Sequence, residues 1–156
     1  MECKERLEKY LRDNGVEFKA VSHPTVFTAQ EIAAAEHVPG RQFAKVVMVL
    51  ADGQGVMLVL PASHHVDLPK LKSALKVKDA RLAKESEFQG IFPDCDTGAM
   101  PPFGNLYNIP VYADAALTGD PEIVFNAGSH RDTLRIKYSD YARLARPTVI
   151  TFATHL

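Results

Sequence analysis

The sequence predicts a single α/β (or α+β) domain built on a mixed sheet, and three observations carry that expectation. Of 156 residues, 46% are apolar and 24% charged, which is enough for one sizeable core over 1–156 without a second domain. Strand-like and helix-like stretches interleave along the chain, but without the strict strand–helix–strand repeat of a parallel sheet. The valine-rich runs Phe43 to Leu50 and Val56 to Leu60, joined by Asp52-Gly53-Gln54-Gly55, read as a hairpin at the heart of that sheet.

Each element follows from local pattern. Glu5 to Asp13 places Leu7, Tyr10 and Leu11 at helical spacing, and Gly15 is a fitting stop. Val16, Phe18, Ala20 and Val21 suggest a strand. Thr28-Ala29-Gln30-Glu31 matches a capping box, so an alanine-rich helix is expected from there to Pro39-Gly40. Leu68, Leu71 and Leu75 share a helical face, and Leu82 opens a second helical segment reaching Phe88 after a break at Val77 to Asp79. Val111 to Ala113, Ile123 to Asn126 and Thr133 to Tyr138 read as strands. Ser139 or Asp140 would cap a short helix through Leu144, and Val149 to Phe152 would add a last strand.

Charge and composition exclude several classes. A net charge of -1 excludes a generically basic nucleic-acid binder, because nonspecific affinity comes from Lys and Arg neutralising phosphates. Local basic stretches remain: Arg131, Arg135, Lys137, Arg143 and Arg146, and Lys70, Lys72, Lys76, Lys78, Arg81 and Lys84. The first residues are charged instead of apolar and the apolar runs are strand-sized, so neither a signal peptide nor a membrane span is expected, and the cytoplasm is the expected location. Cys3 and Cys95 stand far apart without metal spacing. They argue against a disulfide framework, fit a reducing compartment and imply no cysteine chemistry.

The strongest local signal is Gly98-Ala99-Met100-Pro101-Pro102-Phe103-Gly104, about fifty residues after Lys45, a lone lysine in an apolar run. Prolines fix φ and remove donors while glycines permit tight turns and close approach, so the loop reads as a rigid wall lined by main chain. Lys45 would supply an anion contact. Other chemistries lack support. Adjacent His64 and His65 point in different directions and no second ligand pair has suitable spacing, so no metal is expected. Cys95 sits between Asp94 and Asp96, which disfavour a thiolate. Glu31 belongs to the capping box, Glu36 has no carboxylate partner, and no Ser-His-Asp order emerges.

His23-Pro24-Thr25, Thr28 to Glu31, Ala44-Lys45-Val46-Val47, Gly98-x-x-x-Pro102-Phe103-Gly104 and Phe125-Asn126-Ala127-Gly128-Ser129-His130 appear in the order seen in YbaK-type proteins. From about residue 16 to 146 the chain resembles these freestanding relatives of the prolyl-tRNA synthetase editing domain. The resemblance implies a mostly antiparallel mixed sheet, partly barrel-like and flanked by helices. It also implies hydrolysis, in trans, of the ester between a wrong small amino acid, such as alanine or cysteine, and the terminal adenosine of a tRNA such as a proline tRNA. Such a second sieve is needed because a pocket separates amino acids differing by a methylene by only about 1–3 kcal/mol.

The implied mechanism uses neither metal nor organic cofactor. Main chain positions the water and the ester, and a ribose hydroxyl of the substrate assists. Carried onto this chain, Gly98, Ala99 and Lys45 are the catalytic expectations, the first two through free amides and Lys45 as a point charge on phosphate or ribose. Phe27, Thr28, Lys45, Val47, Met100, Pro102 and His130 are the substrate-contact expectations. The partners implied are mischarged tRNA and a synthetase, with no DNA and no membrane. The competing class is a noncatalytic module of the same fold that binds aminoacyl-tRNA, a nucleotide or a synthetase.

Overall fold

The turn at Asp52-Gly53 shows why the expected hairpin forms. Both residues take positive φ, 48° and 81°, the backbone of the two-residue turn that matches the twist of antiparallel strands. In the computed structural model, which describes residues 2–26 and 28–156, the chain begins with α1 (Cys3–Asp13), β1 (Lys19–Ser22), α2 (Ala29–Ala35) and the hairpin β2 (Ala44–Ala51) and β3 (Gln54–Pro61). It continues through β4 (His64–Val66), α3 (Leu68–Leu75), β5 (Ala80–Leu82), α4 (Glu85–Phe88), β6 (Val111–Asp114) and β7 (Glu122–Asn126). The last elements are β8 (Asp132–Lys137), α5 (Tyr138–Ala145), β9 (Thr148–Ile150) and β10 (Ala153–His155).

The principal sheet has the order β5-β2-β3-β6-β9. β2 and β3 pair antiparallel along their whole length, from Ala44 opposite Pro61 to Ala51 opposite Gln54. β3 with β6 and β6 with β9 are parallel, so the sheet is mixed. A second sheet, β1-β8-β7, is antiparallel, and β10 with β4 forms a two-stranded ribbon. The fold is therefore mixed α/β as expected, but the sheets do not close into a barrel.

Alternation along β2 and β3 divides the core. Ala44, Met48, Met57 and Val59 face a cluster with Leu7, Leu11, Phe103, Phe125 and Tyr141. Val49, Leu58 and Leu60 face a second cluster with Leu71 and Phe152. α1 serves the first cluster because Cys3, Leu7 and Leu11 recur every four residues and are all buried. α2 covers a third with Ile32, Ala33 and Phe43.

Several boundaries depart from the sequence reading. The capping box at Thr28 is present, with Glu31 N–H on Thr28 Oγ1 at 3.1 Å and Thr28 N–H on Glu31 Oε1 at 3.3 Å. The helix nevertheless stops at Ala35, before His37 turns left-handed at φ 55°. β1 begins at Lys19 instead of Val16. Leu82 opens no helix; it pairs with Val49 as the end of β5 and is 55% exposed. α5 begins at Tyr138 without a side-chain cap, so Asp140 lies within its first turn. The expected last strand is β9, and the chain runs on to pair β10 with β4.

The cysteine expectation is overturned. Cys3 and Cys95, 92 residues apart, are joined as a disulfide with Cα atoms 5.2 Å apart. α1 and the stretch before Gly98 are brought side by side by packing against the first cluster, a proximity that sequence separation conceals.

Candidate active site

The Gly98 loop is held from two sides. On one, Cys3 N–H donates to Asp94 O at 3.1 Å and the disulfide fixes Cys95. On the other, the turn between β7 and β8 supplies Gly128, whose carbonyl accepts from Asp96 N–H at 2.8 Å and whose N–H donates to Ala99 O at 3.0 Å. Gly128 has φ 96°, and a Cβ there would lie 2.5 Å from Cys3 Cβ. Only glycine allows this approach.

The same turn aims His130. Ser129 Oγ accepts from the amides of Arg131 and Asp132, both at 3.1 Å, and donates to Asp132 Oδ2 at 2.7 Å. Asp132 also receives Ser22 Oγ at 2.8 Å and Lys4 Nζ at 3.4 Å. Burial opposes its ionisation, yet the hydrogen bonds from Ser129 and Ser22 and the charge of Lys4 prevail, holding the carboxyl below the usual range. His130 Nε2 thereby reaches Thr97 O at 3.0 Å. A carbonyl only accepts, so Nε2 carries the proton.

Within the loop, Gly98 has φ 87°, and a Cβ would stand 3.5 Å from His130 Cε1. Its amide donates to Met100 Sδ at 3.3 Å, a thioether and thus a weak acceptor. Ala99 departs from expectation: its amide donates to Asp96 O at 3.0 Å and is not free. The Met100 amide donates to no acceptor among the described residues. Met100 and Phe103 are buried in the first cluster, and Pro102 is buried beside them. Gly98, Ala99, Met100, Pro102 and His130 therefore form one unit.

Lys45 lies elsewhere on β2. Alternation puts it with Val47 and Val49 on the face of the second cluster, against which Val47 packs. It is half-buried and makes no hydrogen bond or ion pair among the described residues, and burial lowers its pKa. Its field reaches His64, whose pKa burial and then His155 and Lys45 depress, against the opposing pull of Asp114. The rings of His64 and His155 stand 5.0 Å apart, edge to face. No hydrogen bond or ion pair joins Lys45 to the Gly98 loop. Thr28 is committed to its capping box, and Phe27 lies outside the described residues.

Sequence reasoning missed a buried set. His23 Nε2 lies 3.4 Å from Glu36 Oε2, and Thr133 Oγ1 donates to the Glu36 carboxylate at 2.8 Å. These residues line a cavity of about 760 Å³ over the β1-β8-β7 sheet, away from the Gly98 loop. The isolated Glu36 gave no signal because its partners come from β8 and the segment before α2.

The Gly98 loop, with main-chain amides around a glycine-proline turn and a histidine aimed by its neighbouring turn, is the candidate site of a chain that belongs to the aminoacyl-tRNA editing domain family, whose model matches residues 23–144. It is 30% identical over 153 residues to the Multifunctional Ser/Thr-tRNA deacylase ProXp-y of Escherichia coli K12, covering 95% of this chain and 91% of that protein. It is 28% identical over 130 residues to the proline–tRNA ligase of Desulfovibrio desulfuricans, covering 82% of this chain and 21% of the ligase. A crystal structure described as a candidate trans-editing enzyme for prolyl tRNA synthetase superposes with a TM-score of 0.85 over 99% of this chain and 98% of that one. At 22% identity, that likeness shows the fold.

Proposed function

We propose that the protein is a freestanding aminoacyl-tRNA deacylase that hydrolyses the ester of a tRNA mischarged with a small amino acid. One observation carries the reading: the Gly98 amide, held by a left-handed backbone, rests on a thioether that a stronger acceptor can displace. A developing ester oxyanion is such an acceptor. The neighbouring Met100 amide is a second available donor, and one well-aimed donor of this kind contributes about 2.7–4 kcal/mol to the transition state.

The other residues take supporting roles. Ala99 serves through its carbonyl, which ties the loop to Gly128, and not through its amide. Met100 and Pro102 bound the amino-acid side chain, and His130 braces Thr97. Lys45 is the point charge for the tRNA terminus, drawn there by the long polyanion and not by any contact to the loop. No side-chain base is required, since the substrate's ribose hydroxyl assists the water.

The test is release of amino acid from alanyl-, cysteinyl-, seryl- and threonyl-tRNA by wild type and by Gly98→Ala. A Cβ at Gly98 meets only ordinary contact with His130, so the variant folds, but the positive φ is strained and the amide shifts. The expected loss is about 10²-fold in kcat, the order that a misplacement near 1 Å produces. Equal rates for both proteins would remove Gly98 from the reaction. Binding of tRNA without release from any of the four would establish the noncatalytic module instead.

A further inference from the structure

We infer that Cys3–Cys95 is a reversible thiol–disulfide modification site, taking a dithiol as its reductant and setting the activity of the Gly98 loop. The inference rests on the proposed deacylase only for its activity readout. Cys95 stands three residues before Gly98, on the stretch whose main chain bonds to Gly128 at both Asp96 and Ala99. Cys3 is the first residue of the eleven-residue α1, anchored by Leu7 and Leu11. The bond therefore fastens the loop to a helix that is itself part of the core.

The surroundings favour one direction of exchange. Cys95 is partly exposed, whereas Cys3 is 3% exposed, so the reductant meets Cys95. One thiolate of the dithiol attacks Cys95 Sγ, the Sγ–Sγ bond breaks, and its electron pair leaves on Cys3. The helix N-terminus stabilises that thiolate and makes it the better leaving group. The second thiolate of the dithiol then attacks its partner sulfur in the mixed disulfide, which closes the reductant's own disulfide and frees Cys95. Two electrons pass to the protein, and the two protons of the dithiol end on Cys3 and Cys95. Asp94 stands within 4.8 Å of both sulfurs and opposes either thiolate alike, so Asp96, the residue after Cys95, is what tips the Cys95 product toward its thiol form.

Once freed, the Cys3 side chain has room to leave Cys95, in a cavity of about 290 Å³ lined by Glu2, Cys3, Lys4, Asp96, Gly128 and Ser129. The loop then keeps the Asp94, Asp96 and Ala99 hydrogen bonds, the His130 contact to Thr97 and the buried Phe103 but loses its covalent tie to α1, so the Gly98 amide is less firmly placed. Reoxidation by a small disulfide runs the same steps backward.

The experiment compares wild type after oxidised glutathione with wild type after dithiothreitol. Alkylation followed by mass spectrometry should count no thiol in the first and two in the second. Amide hydrogen exchange at Asp96, Ala99 and Gly128 should be at least tenfold faster in the reduced form, and deacylation several-fold slower and restored on reoxidation. Cys95→Ser should behave as the reduced form under both treatments. Two reactive thiols after oxidation, or equal exchange in both states, would overturn the inference. If neither state hydrolyses any tRNA, the proposed function fails while the exchange arm, which needs no variant, still decides the redox site.

Discussion

The Gly98 loop and the corner around Lys45 are built on opposite economies of structure. The loop has its charges outside and is anchored mainly through main chain: three backbone bonds, one disulfide and the buried Phe103 fix it, which leaves the Gly98 amide on a thioether and the Met100 amide without an acceptor among the described residues. The Lys45 corner gathers titratable side chains, Lys45, His64 and His155, over a base held by one carboxylate. The proposed site thus divides its work between a rigid region that would place atoms and a half-buried cation that would meet a polyanion. On that reading the rigid part should be costly to alter in stability, and the cation only in function.

The largest expected effect tests whether the Lys45 corner is loose all the way down. Asp114 is 2% exposed, and its Oδ1 accepts the amides of Phe152 at 2.8 Å and Ala153 at 2.9 Å while Oδ2 takes Ala116 at 2.9 Å. Asp114→Ala strands two buried donors at roughly 1–3 kcal/mol each, so urea denaturation should show a loss of about 3 kcal/mol. Asp114→Asn keeps an oxygen for Phe152 and Ala153 and should cost clearly less. A cost for Asp114→Ala below about 1 kcal/mol would mean that the corner is plastic beneath its charges as well.

Gly128→Ala probes the rigid side. Its Cβ would lie 2.5 Å from Cys3 Cβ and 2.6 Å from Cys3 Sγ, at φ 96°. Overpacking of this kind costs about 1–3 kcal/mol, and here the displaced atoms carry the disulfide. The midpoint of denaturation should fall and deacylation should fall with it, because Gly128 also holds Ala99 and Asp96. Stability lost with full activity retained would separate the turn from the loop it is said to position.

The two regions were unequally legible in the sequence. The loop was visible because glycine and proline act locally: the tight turn expected around Gly98 is there, with φ 87°, and the Asp52-Gly53 turn and the Thr28 capping box are likewise written within four residues. What failed was anything settled by a distant partner. Leu82 reads as helical until β2 pairs with it, and β4 and β10 are three-residue strands that exist only through each other. The disulfide joins residues 92 apart. Ala99 is the local exception: it reads as a free donor, although a turn closes its amide on Asp96 three residues back. Lys45 was legible as unusual, but its face of the sheet was not.

Lys45→Met gives the smallest stability effect and the sharpest contrast. The lysine has no hydrogen bond or ion pair among the described residues to lose, so at neutral pH the variant should lie within about 0.5 kcal/mol of wild type, on the stabilised side if on either. The sign follows from linkage. Burial lowers the pKa of Lys45 from the ordinary 10.5, so the folded chain holds that proton less tightly than the unfolded chain does. The charged form is the destabilised one, and stability rises as pH climbs from the folded pKa toward 10.5. Wild type should therefore gain on Lys45→Met across that alkaline window and run parallel to it below. Release of amino acid from mischarged tRNA should fall severely in the variant at every pH, and less so at high salt, where screening has already weakened the wild-type attraction. A variant that loses stability and activity together would put Lys45 with the rigid loop and collapse the distinction between the two regions.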